Sequence, residues 1–437
     1  MSSFFDSVDR TLRPQGHMFY GWWIVFASAG IHLLSSLLWM QSYGAYVVLL
    51  QEEFGWSKAL VAGAFALTRI ESGLLGPLQG WLVDRFGPRL ILQVGMVIYG
   101  VGFMLFSQVE SVLGFYLTFA LIAVGSSLGG FATVMVAVVS WFSRHRSKAV
   151  AMSQIGFSLG GLLVPLVVLA LEGFGWRATA FSSGVLVLLM GIPLARVVRH
   201  RPDAYGDVVD GIREPVHTGN ETRPPPRHTR DLTAREALRT RSFWLISLGH
   251  ALALLTVSCL MVHLISHLTQ GPLRFSLAGA SAIVSLMTAT QMAGVVAGGF
   301  FGDRFSKRIL CAGCLVAHAT GLTLVAYATS PWMVVAAVMI HGFGWGVRGP
   351  LMTAMRADYF GASSFGTIMG FSSLIVMFGM STGPIFAGWM ADATGDYQQG
   401  FVILAAGSLL GAFCFAAATP PRREWVANGS RMRRSDD

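Results

Sequence analysis

Apolar residues recur along this chain in long stretches separated by short polar breaks. Six lie near 20–50, 58–82, 90–107, 112–141, 149–171 and 178–198, and six more near 242–268, 276–302, 309–329, 332–357, 365–390 and 399–418. Each reaches the roughly 20 residues that carry a helix across a bilayer. A membrane barrel would instead show strands of about ten residues alternating apolar and polar side chains, and no such alternation occurs. The pattern predicts an all-α membrane protein with twelve transmembrane helices. The first stretch follows Asp6, Asp9, Arg10 and Arg13. It is too long for the apolar part of a signal peptide and lacks a small-residue cleavage site behind it, so it is read as a retained span.

One polar break differs from the rest. Between 199 and 241 the sequence turns to Arg, Asp, Glu and Thr with the run Pro224, Pro225, Pro226. That composition predicts a linker with a short amphipathic helix near Leu232–Leu238. The expected organisation is a six-helix bundle over 1–198, a linker over 199–241, a second six-helix bundle over 242–418 and a tail over 419–437. The bundles repeat. Gly80, Asp84, Arg85 and Arg89 recur as Gly299, Asp303, Arg304 and Arg308; Trp141 and Phe142 recur as Tyr359 and Phe360, and Pro165 as Pro384. An offset of 218 or 219 residues in a chain of 437 indicates a tandem duplication. Two pseudo-symmetric bundles with a substrate site between them form a transporter plan.

Composition agrees with a bilayer. Only 12% of residues are charged, where a soluble protein carries about 25%, and 51 glycines suit close helix packing in lipid. The net charge of +9 follows from topology. Of the 31 Lys and Arg, 26 fall on the side of the linker and both termini, three (Lys58, Arg177, Arg274) on the other side, and two (Arg69, Arg348) within spans. Cations concentrate on the cytoplasmic side, so both termini and the linker are expected to be cytoplasmic in a multi-pass protein of the cell membrane. The charge then gives no reason to invoke nucleic acid. All four cysteines lie in apolar stretches, which disfavours a disulfide framework or a zinc module.

The segment Gly80-Trp81-Leu82-Val83-Asp84-Arg85-Phe86-Gly87-Pro88-Arg89 resembles the cytoplasmic loop motif of the major facilitator superfamily, with a degenerate copy over Gly299–Arg308. Trp141-Phe142-Ser143-Arg144-His145-Arg146, with Ala149, Gly156 and Gly160, resembles the signature of the monocarboxylate porters. Tyr20-Gly21-Trp22-Trp23 and Glu53-Phe54-Gly55-Trp56-Ser57 are similar to first-helix signatures of that group and of its oxalate/formate antiporter relatives. The resemblance implies a monomeric secondary transporter without a cofactor, working by alternating access. It also implies a lock between the halves at Asp84, Arg85, Arg89, Asp303, Arg304 and Arg308. The chain departs from the group where anions bind. Gln291 and Val295 stand where an Asp and an Arg are usual on the eighth helix, and span 11 lacks the Lys of the oxalate/formate relatives.

Ionisable groups within a span are costly and usually face a cavity or a partner. Arg69 and Glu71 lie about 18 and 21 Å into span 2 at 1.5 Å per residue. Two residues apart, they point to different sides of the helix, and each suits either a structural ion pair or a functional role. Arg348 sits in Gly344-Trp345-Gly346-Val347-Arg348-Gly349-Pro350, where Gly and Pro loosen a midplane helix, a pointer to a binding site. The substrate contacts expected are Arg348, Arg69, Trp345, Gln291 and Ser72, with Glu71 and His32 as proton carriers. His32 equally suits a hydrogen-bonded core. His263 with His267, and Cys311 with Cys314 and His318, are weaker candidates for a metal. No nucleotide loop or nucleophile motif supports an enzyme. The function expected is proton-coupled movement of a small organic anion, a mono- or dicarboxylate; the alternative is a proton-driven efflux pump for amphipathic compounds.

Overall fold

The computed structural model describes residues 18–56, 58–212 and 231–421. The two tails and the middle of the linker, with its three prolines, lie outside the described residues, as do the side chains of Arg69 and Ser72.

Among the described residues ten helices are long and apolar enough to cross a membrane. One of them, Arg146–Val197, has 52 residues and breaks at Gly175, where φ is 77° and ψ 163°. A side chain is poorly tolerated at such a φ. The chain turns back there, and its far end meets the first span where Tyr20 Oη donates to the Val197 carbonyl at 2.9 Å. This stretch is therefore two spans. The helix Lys58–Phe86, 29 residues long with Arg69 and Glu71 inside it, completes twelve.

In chain order the spans are α1 (20–54), α2 (Lys58–Phe86), α3 (Pro88–Phe106), α4 (Val112–Trp141), α5 (146–174) and α6 (176–197). After the linker come α7 (Arg241–Gln270), α8 (Leu277–Gly302), α9 (Lys307–Ala326), α10 (Pro331–Phe360), α11 (Phe365–Thr394) and α12 (Gln398–Ala417). Several overrun the apolar stretches: α2 continues to Phe86 and α10 to Phe360. The first span is uneven, with a π turn at Ser36–Met40. The amphipathic linker helix forms at Ala234–Leu238. Thr233 and Glu236 close it with a capping box in which the Thr233 amide donates to Glu236 Oε2 at 2.8 Å.

The duplication is visible in hydrogen bonds. Trp141 Nε1 donates to the carbonyl of Arg199 at 3.1 Å, and its counterpart Tyr359 donates through Oη to Ala418 at 2.9 Å. Each pins the end of its fourth helix beneath the end of its sixth. The face where these contacts lie also carries both ends of the linker and is called the linker face below.

Each bundle has its own core. In the first, Trp39, Phe103, Phe106, Phe115 and Phe119 bury together between α1, α3 and α4. In the second, Leu260, Leu264, Leu322, Val338 and Phe401 fill the space among α7, α9, α10 and α12. The bundles meet along two seams made by small residues. On the α2–α11 seam, a Cβ built on Gly80 would lie 2.0 Å from the Gly366 carbonyl oxygen, and one on Gly370 would lie 2.1 Å from that of Gly76. On the α5–α8 seam, a Cβ on Gly302 would lie 2.6 Å from Ser147 Oγ and one on Gly299 would lie 2.7 Å from Ala151 Cβ. Backbones approach this closely only without side chains between them.

A methyl group at Gly80 must push backbone against backbone, an overpacking cost of about 1–3 kcal/mol. Gly80→Ala is therefore expected to lower the melting temperature of the detergent-purified protein. Gly313→Ala on α9, where a Cβ meets open space, should leave it unchanged. Equal melting temperatures for the two variants would show that the α2–α11 seam is looser than described.

Candidate functional site

An α-helix leaves its first four N–H groups without partners of its own. The helices α5 and α11 begin at the linker face on His145 and Ser364, and neither of these residues caps its helix with a side chain. Each helix is capped by the opposite bundle instead. Asp84 at the end of α2 accepts from the amides of Gly366 and Thr367 at 2.9 and 2.8 Å and from the Thr367 hydroxyl at 2.7 Å. Asp303 just after α8 accepts from the amides of Ser147 and Lys148 at 2.8 and 3.2 Å. A carboxylate at these positions also meets the positive end of the helix dipole.

The linker grips the same two loops. Asp210 accepts from the amides of Ser143 and Arg144, at 3.2 and 2.9 Å. Asp231 accepts from those of Ala362 and Ser363, at 3.0 and 2.9 Å. Each loop leading into a seam helix is thus held by one aspartate from the other bundle and one from the linker. A further ion pair crosses on the α5–α8 side: Asp358 on α10 takes Arg146 from the first bundle and, within its own bundle, Lys307 at 2.9 Å. Beside these contacts, burial and the charge of Lys148 hold His145 below its usual pKa, against Asp210 and Asp303. The arginines of the repeated motif act within their own bundles. Arg89 donates to the Val198 carbonyl at 2.9 Å and Arg308 to that of Ala416 at 3.4 Å, Arg85 lies against the Trp81 and Phe86 rings, and Arg304 is exposed.

Deeper in the membrane, polar groups gather in the second bundle. Arg348 is 2% exposed, with Nε and Nη1 buried and without a hydrogen-bond partner. Arg356, two turns further along α10, is 1% exposed; its Nη2 donates to His250 Nδ1 on α7 at 3.0 Å and to Ser372 Oγ on α11 at 2.7 Å. Ser372 in turn shares a 2.9 Å hydrogen bond with Ser247. Trp345 is half-buried against the second core, and Gln291 is half-buried where its carbonyl abuts Gly346.

In the first bundle His32 is fully buried. Its Nδ1 donates to the Ser153 carbonyl at 2.8 Å, and its ring stacks on Phe157 with centroids 4.2 Å apart. Glu71 is half-buried on α2. The paired histidines of α7 each meet a carbonyl, His263 that of Pro384 at 2.8 Å and His267 that of Val325 at 3.1 Å. His318 faces His341 across α9 and α10 at 3.3 Å, and Cys311 and Cys314 are buried nearby. Among the described residues no three metal-ligating side chains converge.

The family model for the Major Facilitator Superfamily matches residues 28–271 and 246–435. The chain belongs to that superfamily. Over 430 residues this facilitator is 25% identical to monocarboxylate transporter 13 of Bos taurus, covering 95% of each chain. It is 22% identical over 408 residues to the hexuronate transporter of Escherichia coli K12, covering 89% of this chain and 92% of the other. Its fold is that of the proton:xylose symporter XylE, with a TM-score of 0.69 at 16% identity over 92% of this chain and 97% of the symporter. The facilitator is thus a transporter of the Major Facilitator Superfamily and not an enzyme.

Four functional-site groups escaped the sequence. Its place near the end of the tenth span puts Arg356 among the 26 cations expected on the linker face, but it is buried in α10, which leaves 25 there. Its position eight residues after Arg348, about 80° round the same helix, is the signal that could have found it. Asp210, Asp231 and Asp358 carried no motif.

If the aspartates cap the opposite bundle, Asp84→Asn and Asp303→Asn should each lose charge-assisted hydrogen bonds worth about 1.5–3 kcal/mol. Gln154 on α5 faces Gly349 on α10 across the bundles. A cysteine placed at Gln154 should react with a thiol reagent from the linker face about ten times faster in either variant. Unchanged reactivity would leave these aspartates with a topological role alone.

Proposed function

We propose that this facilitator moves a small organic anion, a carboxylate, across the cell membrane together with a proton by alternating access. The linker face is cytoplasmic in this reading, because the cations gather there, and the arrangement described is the one closed to the cytoplasm.

The observation that carries the proposal is Arg348. A guanidinium buried in a span with two nitrogens unpartnered is expensive, and a carboxylate can satisfy it through a planar fork. Carboxylates also appear in the names of similar proteins, a monocarboxylate and a hexuronate transporter. An anion entering alone would bring charge into a low-dielectric cavity. A fixed cation must meet it, and a proton travelling with it makes the step neutral. Arg keeps its charge at all working pH values, so Arg348, with Arg69, supplies the field. Glu71 or His32 carries the proton, and Trp345, Gln291 and Ser72 shape the cavity around the substrate.

The test is counterflow in proteoliposomes with labelled carboxylates. Arg348→Gln is expected to reduce exchange at least about tenfold, and Arg348→Lys, which keeps charge but loses the fork, should fall between. Glu71→Gln should keep exchange while losing the rise of uptake at low external pH. Exchange at the parent rate in both Arg348→Gln and Arg69→Gln would end the carboxylate reading and favour efflux of amphipathic compounds.

A further inference from the structure

The second bundle buries two cations and, among the described residues, no acid to balance them. Its described carboxylates are Asp231, Glu236, Asp303, Asp358, Asp392 and Asp396, all in the linker, in loops or in the terminal turns of spans. Arg356 is held only by the neutral partners His250 and Ser372, and its Nε and Nη1 are buried without partners, as are those of Arg348. Guanidinium cannot accept a hydrogen bond, so His250 Nδ1 must be the acceptor. That fixes the ring as the neutral tautomer with its proton on Nε2. His250 is the only half-buried member of the Arg356–Ser372–Ser247–His250 cluster, which makes it the open edge. Arg348 stands two turns before Arg356 on the same helix, about 80° round it. The second bundle therefore buries guanidinium N–H donors and two positive charges with no described carboxylate among them.

Neither arginine has a counterpart in the first bundle. At the 218-residue offset Arg348 matches Gly130 and Arg356 matches Val138. The pair therefore does not belong to the duplicated scaffold, which folds without it in the first half. Buried charges that serve structure alone are normally paired within the protein.

From these observations we infer that Arg356, with His250 and Ser372, forms an anion subsite between α7, α10 and α11 that works together with Arg348. The ligand it takes carries two negative charges, one carboxylate for each guanidinium. The inference rests on the carboxylate reading above and narrows it to dicarboxylates.

The experiment is thermal unfolding of the full-length purified protein in anion-poor buffer. Malonate, succinate and glutarate are titrated against lactate and pyruvate, and a bound ligand stabilises by mass action. The parent should be stabilised by at least one dicarboxylate at concentrations about tenfold lower than by either monocarboxylate. Arg356→Gln should weaken that dicarboxylate by about tenfold to a hundredfold and lose the preference. Because it removes an unbalanced buried charge, its melting temperature without ligand should equal or exceed that of the parent. Ser372→Ala, which keeps the charge, should weaken binding less.

A parent that prefers lactate or pyruvate overturns the dianion. A dicarboxylate shift that survives intact in Arg356→Gln overturns the subsite and leaves the carboxylate reading standing, as does a ligand-free melting temperature well below the parent's, which would make Arg356 structural. No shift with any of the five acids, joined to absent counterflow, would sink both readings.

Discussion

Two helices of this transporter, α5 and α11, begin without caps of their own, and each takes a carboxylate from the opposite bundle. The rest of the arrangement depends on that exchange. For Asp84 to reach the amides of Gly366 and Thr367, α2 and α11 must run almost in backbone contact, so Gly76, Gly80, Gly366 and Gly370 carry no side chains at the seam. The same holds for Asp303, with Gly299 and Gly302 beside Ser147 and Ala151. In the proposed alternating-access cycle the closure must also be undone. A cap in trans is lost when the bundles separate, and water can then take over the freed amides at the linker face. A cap in cis would give each helix its stability without joining the halves.

The two bundles share their scaffold and differ in their chemistry. What repeats at an offset of 218 or 219 serves architecture: Asp84 with Asp303, Arg89 with Arg308, and Trp141 with Tyr359, whose hydrogen bonds to the end of the sixth helix in each half are equivalent. Four ionisable residues of the membrane interior do not repeat. Arg348 and Arg356 stand opposite Gly130 and Val138, and Arg69 and Glu71 stand opposite Thr288 and Thr290. Substrate chemistry in a duplicated transporter is expected where the symmetry is broken, since a single substrate has no second copy to meet.

Much of this architecture is legible in the sequence. The spans follow from the length of apolar runs, and the helical linker segment from the amphipathic pattern near Leu232–Leu238. The trans caps were legible as a pair because Asp84 recurs as Asp303, although a sequence does not say which helix each one caps. The arginines of the same motif proved less informative, since Arg89 and Arg308 reach carbonyls of their own bundles. Arg356 was hidden by its position near a helix end, where a cation is ordinarily a sign of topology. The helix carries on past it to Phe360, and its side chain turns inward to His250 and Ser372. Asp210 and Asp231 sit in a polar linker whose composition suggests a solvated chain, and only the fold places them over the loops that Asp303 and Asp84 already hold.

The central claim is that carboxylates donated in trans keep the linker face closed. Pulsed electron spin resonance tests it directly, with one label at Phe86 on the end of α2 and one at Ser363 ahead of α11. For the parent protein in lipid nanodiscs the account predicts a distance distribution dominated by a single short population. In the Asp84→Asn, Asp303→Asn double variant it predicts a second, longer population of comparable size. A distribution in the double variant indistinguishable from the parent's would contradict the claim.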